Sequence, residues 1–198
     1  MSKFFDYMEA YARADTDADR GRIEEDVWAR YGIDETVCIH DMSGFSRLTE
    51  KHGIVHYLSM VGHMRVVVLP IIERFGGHVV KFEADNAYAR FPDPHNAIQS
   101  AVAINIAFDA MNMMTTEDLN IYISTGIDCG KFLLIDDGDF FGVPVNTASK
   151  LGEDVASGGD ILVSKAAMNL VPADAGVKFA ADAIEISGIS IDACRVQY

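Results

Sequence analysis

Two aspartates sit where the chain must turn. Asp41 follows the β-prone run Thr36-Val37-Cys38-Ile39-His40 and opens the loop Met42-Ser43-Gly44-Phe45-Ser46. Asp85 stands at the tip of a hairpin pattern, between His78–Glu83 and Asn86–Phe91. Strand ends on one edge of a sheet bring such residues together, and two facing carboxylates are the minimal holder for one or two Mg²⁺. The loop after Asp41 runs into a helix N-terminus, which offers backbone N–H groups to an anion. A cation plus a helix N-terminus is a way for an acidic protein to hold a polyphosphate. The same spacing also fits a plainer role, with Asp41 capping the helix and Asp85 making the turn.

Other patterns are weaker. His52 and His56 are four apart, with His63 two turns on; this is a conceivable metal face, and more often a solvated or dimer-facing surface. Asp15 to Gly21 resembles the start of an EF-hand loop, but position six is Arg20 and position twelve is Asp26. A polar turn between two short helices explains it better. Met111, Met113 and Met114 are expected to close a helix end against the core, and Glu153-Asp154 to be a solvated acidic segment. Cys38, Cys129 and Cys194 are scattered and form no CxxC, which reads as reduced thiols.

The elements that position these residues come from periodicity. With 198 residues, 49% of them hydrophobic and 23% charged, the chain is globular and one domain long, or one domain with an appendage. A net charge of −14 argues against nucleic-acid or anionic-membrane binding. No apolar run approaches the length of a membrane span, and the start is not patterned as a signal peptide, so cytoplasm is the expected address. Residues 1–34 read as a helical N-terminal extension, and residues 35–198 as the main domain. Within it the spacing predicts a strand at 36–40, and a long helix at 47–75 split or kinked near Gly62 and Pro70. A hairpin at 78–91 and a helix at 95–114 follow. A strand at 119–128 with a hairpin partner at 131–136 comes next, then a helix from about Asn146 and a strand at 161–164. Short strands are expected over 177–198. The order is an α/β, ferredoxin-like βαββαβ arrangement.

Three segments carry a family resemblance. Asp41-Met42-Ser43-Gly44-Phe45-Ser46 is similar to the D-I-x-G-F-T/S motif of class III nucleotide cyclases. Gly76-Gly77 followed by Lys81-Phe82-Glu83-Ala84-Asp85 resembles their G-G…K-x-x-G-D hairpin. Asp139 to Leu151 resembles their D-x-x-G-x-x-V-N-x-A-x-R-L segment. The resemblance covers roughly residues 35–198 and keeps the family order.

The resemblance implies an adenylyl cyclase that converts ATP to 3′,5′-cyclic AMP and pyrophosphate. Asp41 and Asp85, with the Met42 carbonyl, would hold two Mg²⁺ or Mn²⁺ per site. N–H groups of Gly44, Phe45 and Ser46 would hold the β- and γ-phosphates. Lys81 and Asp139 would read adenine, Asn146 would orient the ribose, and Lys150 would act at the transition state. Metal-holding and base-reading residues of one site would come from different chains of a head-to-tail homodimer. There are departures. Lys150 stands where the family has arginine and lacks the bidentate fork. Ser187 falls where the family has a phosphate-binding lysine. Ala84 replaces the hairpin glycine. These leave two alternatives open, a nucleotide-binding or dimerising regulatory module without turnover, or a cyclase using another nucleoside triphosphate.

Overall fold

The run from Thr36 to His40 is buried at every residue, not at alternate ones, because both faces of its strand are covered. That strand, β1 (Gly32–Met42), is the spine of the domain in the computed structural model, which describes residues 3–135, 138–186 and 189–198. It is preceded by α1 (Lys3–Arg13) and α2 (Asp17–Tyr31). After it come α3 (Phe45–His52), α4 (Ile54–Arg74), β2 (His78–Glu83), β3 (Asn86–Phe91) and α5 (Pro94–Asn112). Then follow β4 (Ile123–Ile135), β5 (Asp139–Phe141), α6 (Val143–Ser149), a π-helical turn Lys150–Val155, β6 (Ile161–Ser164) and α7 (Lys165–Met168). The strands β7 (Lys178–Ile186) and β8 (Ile189–Gln197) pair antiparallel and complete the described chain.

The sheet order is β2-β3-β1-β4-β6-β8-β7, with β5 paired to β4. Its first four strands are the expected ferredoxin-like set, antiparallel throughout. Helices α4 and α5 cover one face, where Met64, Val68, Ile98 and Ile104 pack on Cys38, Met42, Ala87 and Phe91. On the other face Val37 and Ile39 meet Phe132, Phe140 and Ala148 of α6. Helices α1 and α2 add a small cluster, Phe4, Val27 and Tyr31, against Ile135. The caps follow sequence rules. Asp93 Oδ1 accepts from Asn96 N (2.8 Å) ahead of Pro94, and Thr16 Oγ1 accepts from Asp19 N (3.1 Å).

Several expectations are corrected. The long helix after Asp41 breaks at Gly53, not at Gly62 or Pro70. Gly53 has φ +86°, outside the helical region, whereas Gly62 sits in open space within α4 and Pro70 is carried inside it. The strand and hairpin partner expected around residue 130 are one strand, β4. It pairs with the whole length of β1, from Met42↔Ile123 to Gly32↔Leu133, and the chain reverses only before β5. Residues 15–26 form a helix start, not a twelve-residue loop, so the polar-turn reading holds. Met111 packs on the core, but Met113 and Met114 are exposed beyond the end of α5. No unbroken apolar run in α4 reaches the length of a membrane span, yet the helix as a whole is apolar. It is long and apolar enough to cross a membrane by length and composition, with a mean hydropathy of 1.5 over its best window. In this fold it lays Tyr57, Met60, Met64, Val68 and Ile72 on the sheet.

The hairpin tip carries local strain. Ala84 has φ +48°, the left-handed region that costs a residue with a Cβ about 1 kcal/mol. Arg65 holds the turn in place, donating from Nη2 to the Ala84 carbonyl (2.8 Å) while its guanidinium lies over the Phe82 ring. Ala84→Gly should therefore stabilise the fold by up to about 1 kcal/mol, where glycine in a strand or helix interior costs a similar amount. Chemical denaturation checks this, and a clear loss of stability would show that the left-handed turn carries no strain.

Candidate functional site

Asp41 is the last residue of β1 on the face that Val37 and Ile39 turn toward α6, and it is partly buried and flanked in register by Asn86 on β3 and Ser124 on β4. The next residue, Met42, turns back into the core and donates its N–H to the Asp85 carbonyl (3.3 Å). This bond brings the β2–β3 hairpin tip to the end of β1, so the two aspartates expected to meet do meet. Tyr57 of α4, buried beneath them, donates its hydroxyl to Asp85 Oδ2 (2.5 Å) and lies 3.4 Å from the Met42 carbonyl. Burial and then the Asp85 hydrogen bond push the Tyr57 phenol well above its ordinary range, so it stays a donor.

The electrostatics at this end of the sheet are one-sided. Burial, then the charges of Asp85 and Glu153, push the Asp41 carboxyl up to about 6; a Ser124 hydrogen bond opposes this. Glu153 is the residue that sequence reasoning missed. Exposed as expected of a solvated acid, it also accepts from Ser149 Oγ (2.8 Å) and Tyr88 Oη (3.2 Å) and faces Asp41. Only the return of the π-helical turn onto the sheet brings it there, and no spacing rule signals that. Two carboxylates and a main-chain carbonyl form an oxygen donor set suited to a hard divalent cation, and the raised Asp41 carboxyl is the electrostatic deficit that a cation would relieve.

The loop Met42–Ser46 is pinned from both sides. Ser43 N donates to the Tyr122 carbonyl (3.0 Å), and α3 starts at Phe45 after Gly44 at φ +103°. Phe45 is half exposed, its ring edge-on to Tyr57 with centroids 5.0 Å apart.

Lys81 and Asp139 also come together. Lys81 Nζ lies 3.1 Å from Asp139 Oδ1 and 2.7 Å from Glu83, and 4.9 Å from the centre of the Tyr88 ring. Burial pulls the ammonium down, but Glu83 and Asp139 outweigh it and hold the group above its usual range. Both side chains line a cleft of about 420 Å³ with Phe5 of α1, Phe82 and Phe141. Tyr88 links this cleft to the carboxylate end, since its hydroxyl reaches Glu153.

Asn146 and Lys150 lie on the segment that closes over the second face. Its approach depends on two glycines: a Cβ at Gly126 would come within 2.0 Å of the Ala148 carbonyl oxygen, and one at Gly152 within 2.8 Å of Gly126 N. Asp128, buried by β4 and also missed by sequence reasoning, is bonded by Ser164 Oγ (2.5 Å) and by its own neighbour Cys129 N (2.8 Å), with Thr147 of α6 beside it. Asn146 is exposed, and Lys150 forms no ion pair among the described residues. Neither is drawn to Asp41 or Asp85 by any hydrogen bond or ion pair among those residues. Ser187 lies outside the described residues.

No family model matches the chain. In sequence it is 29% identical over 124 residues to "Putative adenylate cyclase 3" of Rhizobium meliloti (strain 1021), a match covering 63% of this chain and 21% of that one. It is 25% identical over 132 residues to the uncharacterized protein Rv2212 of Mycobacterium tuberculosis, covering 67% and 33%. The chain thus spans between a fifth and a third of the length of the curated relatives it matches. In structure it is similar to an adenylate/guanylate cyclase/hydrolase from Silicibacter pomeroyi, with a TM-score of 0.73, 27% identity, and coverage of 83% and 96% of the two chains. The adenylyl cyclase CyaB from P. aeruginosa superposes with a TM-score of 0.72 at 20% identity, over 84% and 96%. The guanylyl cyclase Cya2 superposes with 0.73 at 16%, over 83% and 92%. The chain has the fold of the class III nucleotide cyclase catalytic domains.

The raised Asp41 carboxyl sets a pH dependence. A carboxyl raised above its ordinary 3.8 contributes stability that is complete below about pH 4 and lost as pH rises through about 6. In chelator, Asp41→Asn should therefore be more stable than the parent at pH 7.5, by about 1–2 kcal/mol after allowance for solvent screening, and equal to it near pH 4. Denaturant melts at the two pH values check this; a variant no more stable at pH 7.5 would remove the repulsion from the site.

Proposed function

We propose that this chain is a nucleotide cyclase catalytic domain that converts ATP to 3′,5′-cyclic AMP and pyrophosphate. The observation that carries the reading is the joint presence of two sets on one sheet, carboxylates converging at the end of β1 and the Lys81–Asp139 pair at 3.1 Å beside a cleft.

Asp41 and Asp85, with the Met42 carbonyl, would hold Mg²⁺ or Mn²⁺, two per site. Bound there, the metal would neutralise the triphosphate and ease ionisation of the ribose 3′-hydroxyl. Main-chain N–H groups of Gly44, Phe45 and Ser46 at the start of α3 would receive the β- and γ-phosphates. Lys81 donates to adenine N1 and Asp139 accepts from the N6 amino group; guanine presents the reverse pattern. The two therefore select ATP, and their existing ion pair pre-orients both. The 3′-oxygen forms a bond to the α-phosphorus, the bond to the bridging oxygen breaks, and pyrophosphate leaves with the electron pair while the 3′ proton passes to water. Asn146 holds the ribose for in-line attack, and Lys150 places a cation against the charge that develops.

Among the described residues, Asn146 and Lys150 make no hydrogen bond or ion pair to Asp41 or Asp85 of their own chain, which favours a site completed by a second copy, head to tail. An apolar stripe on α4, Val55, Leu58, Val66 and Leu69, is exposed and gives further surface for association. The catalytic domain would begin with β1 at Gly32, three residues before the expected boundary at 35, and residues 1–31 would form its helical extension, whose Phe5 borders the base cleft. A second reading, a nucleotide-binding module without turnover, is favoured by Lys150. It supplies charge without the arginine fork, a loss on the order of a hundredfold in rate.

Incubation with each of the four nucleoside triphosphates and Mg²⁺ or Mn²⁺, with products identified by mass spectrometry, should give cyclic AMP from ATP and little product from the others. No cyclic nucleotide under either metal would leave the module reading. Composite sites have their own signature. Asp85→Asn and Asn146→Ala should each be folded and nearly inactive, and mixing them should restore roughly a quarter of parent activity through mixed dimers. Confirmed mixed dimers without recovery, where the parent is active, would place each site within one chain.

A further inference from the structure

The histidines at the α3–α4 junction take no part in nucleotide chemistry as read above. Yet His52, His56 and Asp118 offer donor atoms that all lie within 4.8 Å of one another, the one such set of three found among the described residues. His52 is the last residue of α3 and His56 lies in the first turn of α4, with Gly53 at φ +86° between the helices. The imidazoles stack, centroids 4.7 Å apart and planes at 30°. Asp118 comes from the short 3₁₀ segment Glu117–Leu119 ahead of β4.

We propose that His52, His56 and Asp118 form a binding site for a borderline transition-metal cation of the Zn²⁺ type, separate from the carboxylate end of β1. Four observations support it. First, His52 Nε2 is buried and has no hydrogen-bond partner, which leaves a polar atom unsatisfied unless something binds it. Second, His56 Nε2 lies 2.7 Å from the Asp118 carbonyl oxygen. That nitrogen must donate, so in the neutral ring, the form that binds metal, Nδ1 carries the lone pair for the ion. Metal-bound imidazoles characteristically make such an outer hydrogen bond to a carbonyl. Third, Thr116 hydrogen-bonds the Asp118 carboxyl and so helps to orient the oxygen ligand. Fourth, two imidazoles and a carboxylate are the donor types of three-ligand zinc sites with an open fourth position, whereas Mg²⁺ prefers oxygen throughout. A tetrahedral ion with bonds of about 2.0–2.1 Å sets its ligands about 3.3 Å apart, so binding would draw together donor atoms that now lie within 4.8 Å of one another.

The location gives the ion something to do. It would tie the C-terminus of α3 to the segment that precedes β4. Four residues after Asp118, the Tyr122 carbonyl accepts from Ser43 N in the loop that starts α3. The cation would thus brace the Met42–Ser46 loop at both of its supports. His63, grouped with these histidines by sequence, lies apart from the set and lines a neighbouring groove with Met60, Thr115 and Leu119.

The test is calorimetric titration of metal-stripped protein with Zn²⁺, paired with Co²⁺ absorption spectra. The parent and Asp85→Asn should bind one equivalent at this site and give the visible bands of a low-coordinate Co²⁺ ion without thiolate charge transfer. His52→Ala and His56→Ala should bind at least about tenfold more weakly and lose the bands. Circular dichroism of the metal-free variants checks folding; His52→Gln removes the same ligand with a smaller change in volume if an alanine variant fails to fold. Equal affinity in the histidine variants, loss of the bands in Asp85→Asn alone, or no binding by the parent would each overturn the proposal.

Discussion

Burial of the Asp41 carboxyl beside the charges of Asp85 and Glu153 is the constraint on which the candidate cation site at the end of β1 depends. Asp41 cannot move away from Asp85, because the Met42 N–H is bonded to the Asp85 carbonyl and the hairpin tip is held from outside by Arg65. Glu153 adds a third negative group. Burial is the largest cause of the raised proton affinity of Asp41, and the neighbouring charges of Asp85 and Glu153 add to it. Tyr57 offsets part of this by donating to Asp85 from the core side. The arrangement costs stability near neutral pH, and a bound cation is the simplest agent to reverse that cost.

The rest of the fold supplies rigidity around this point. β1 is paired on both edges and covered on both faces, so the direction in which Asp41 faces is fixed by register. The Gly126–Gly152 approach lets α6 and the π-helical turn lie close on the sheet, and the Asp128–Ser164 bond with Thr147 beside it secures them. The base-side pair Lys81–Asp139 is built from two strands, β2 and β5, that meet only because β4 runs on past Gly130.

Much of this was legible in the sequence, for identifiable reasons. The β2–β3 hairpin and α5 are bounded by Gly76-Gly77, Ala84-Asp85 and Pro92-Asp93-Pro94, local signals that tertiary packing did not override. Asp41 and Asp85 were recognisable because each ends a strand beside a turn. Length was misread where context decides it. β4 looked like two strands because Gly130 punctuates it, yet pairing to β1 carries it through. The α3–α4 break fell at Gly53, and nothing in the pattern ranked that glycine above Gly62. Glu153 and Asp128 had no local signature, since their roles arise from contacts between segments far apart in the chain. The histidines were visible as a spacing, while their third partner, Asp118, is joined to them only by the fold.

The most direct measurement is Mn²⁺ binding by electron paramagnetic resonance, made in a His52→Ala background so that the junction histidines do not contribute. The parent carboxylates should immobilise Mn²⁺, and Asp85→Asn should weaken that binding at least about tenfold, because an amide cannot replace the carboxylate charge on the ion. Unchanged Mn²⁺ affinity in Asp85→Asn would contradict a cation site at the end of β1.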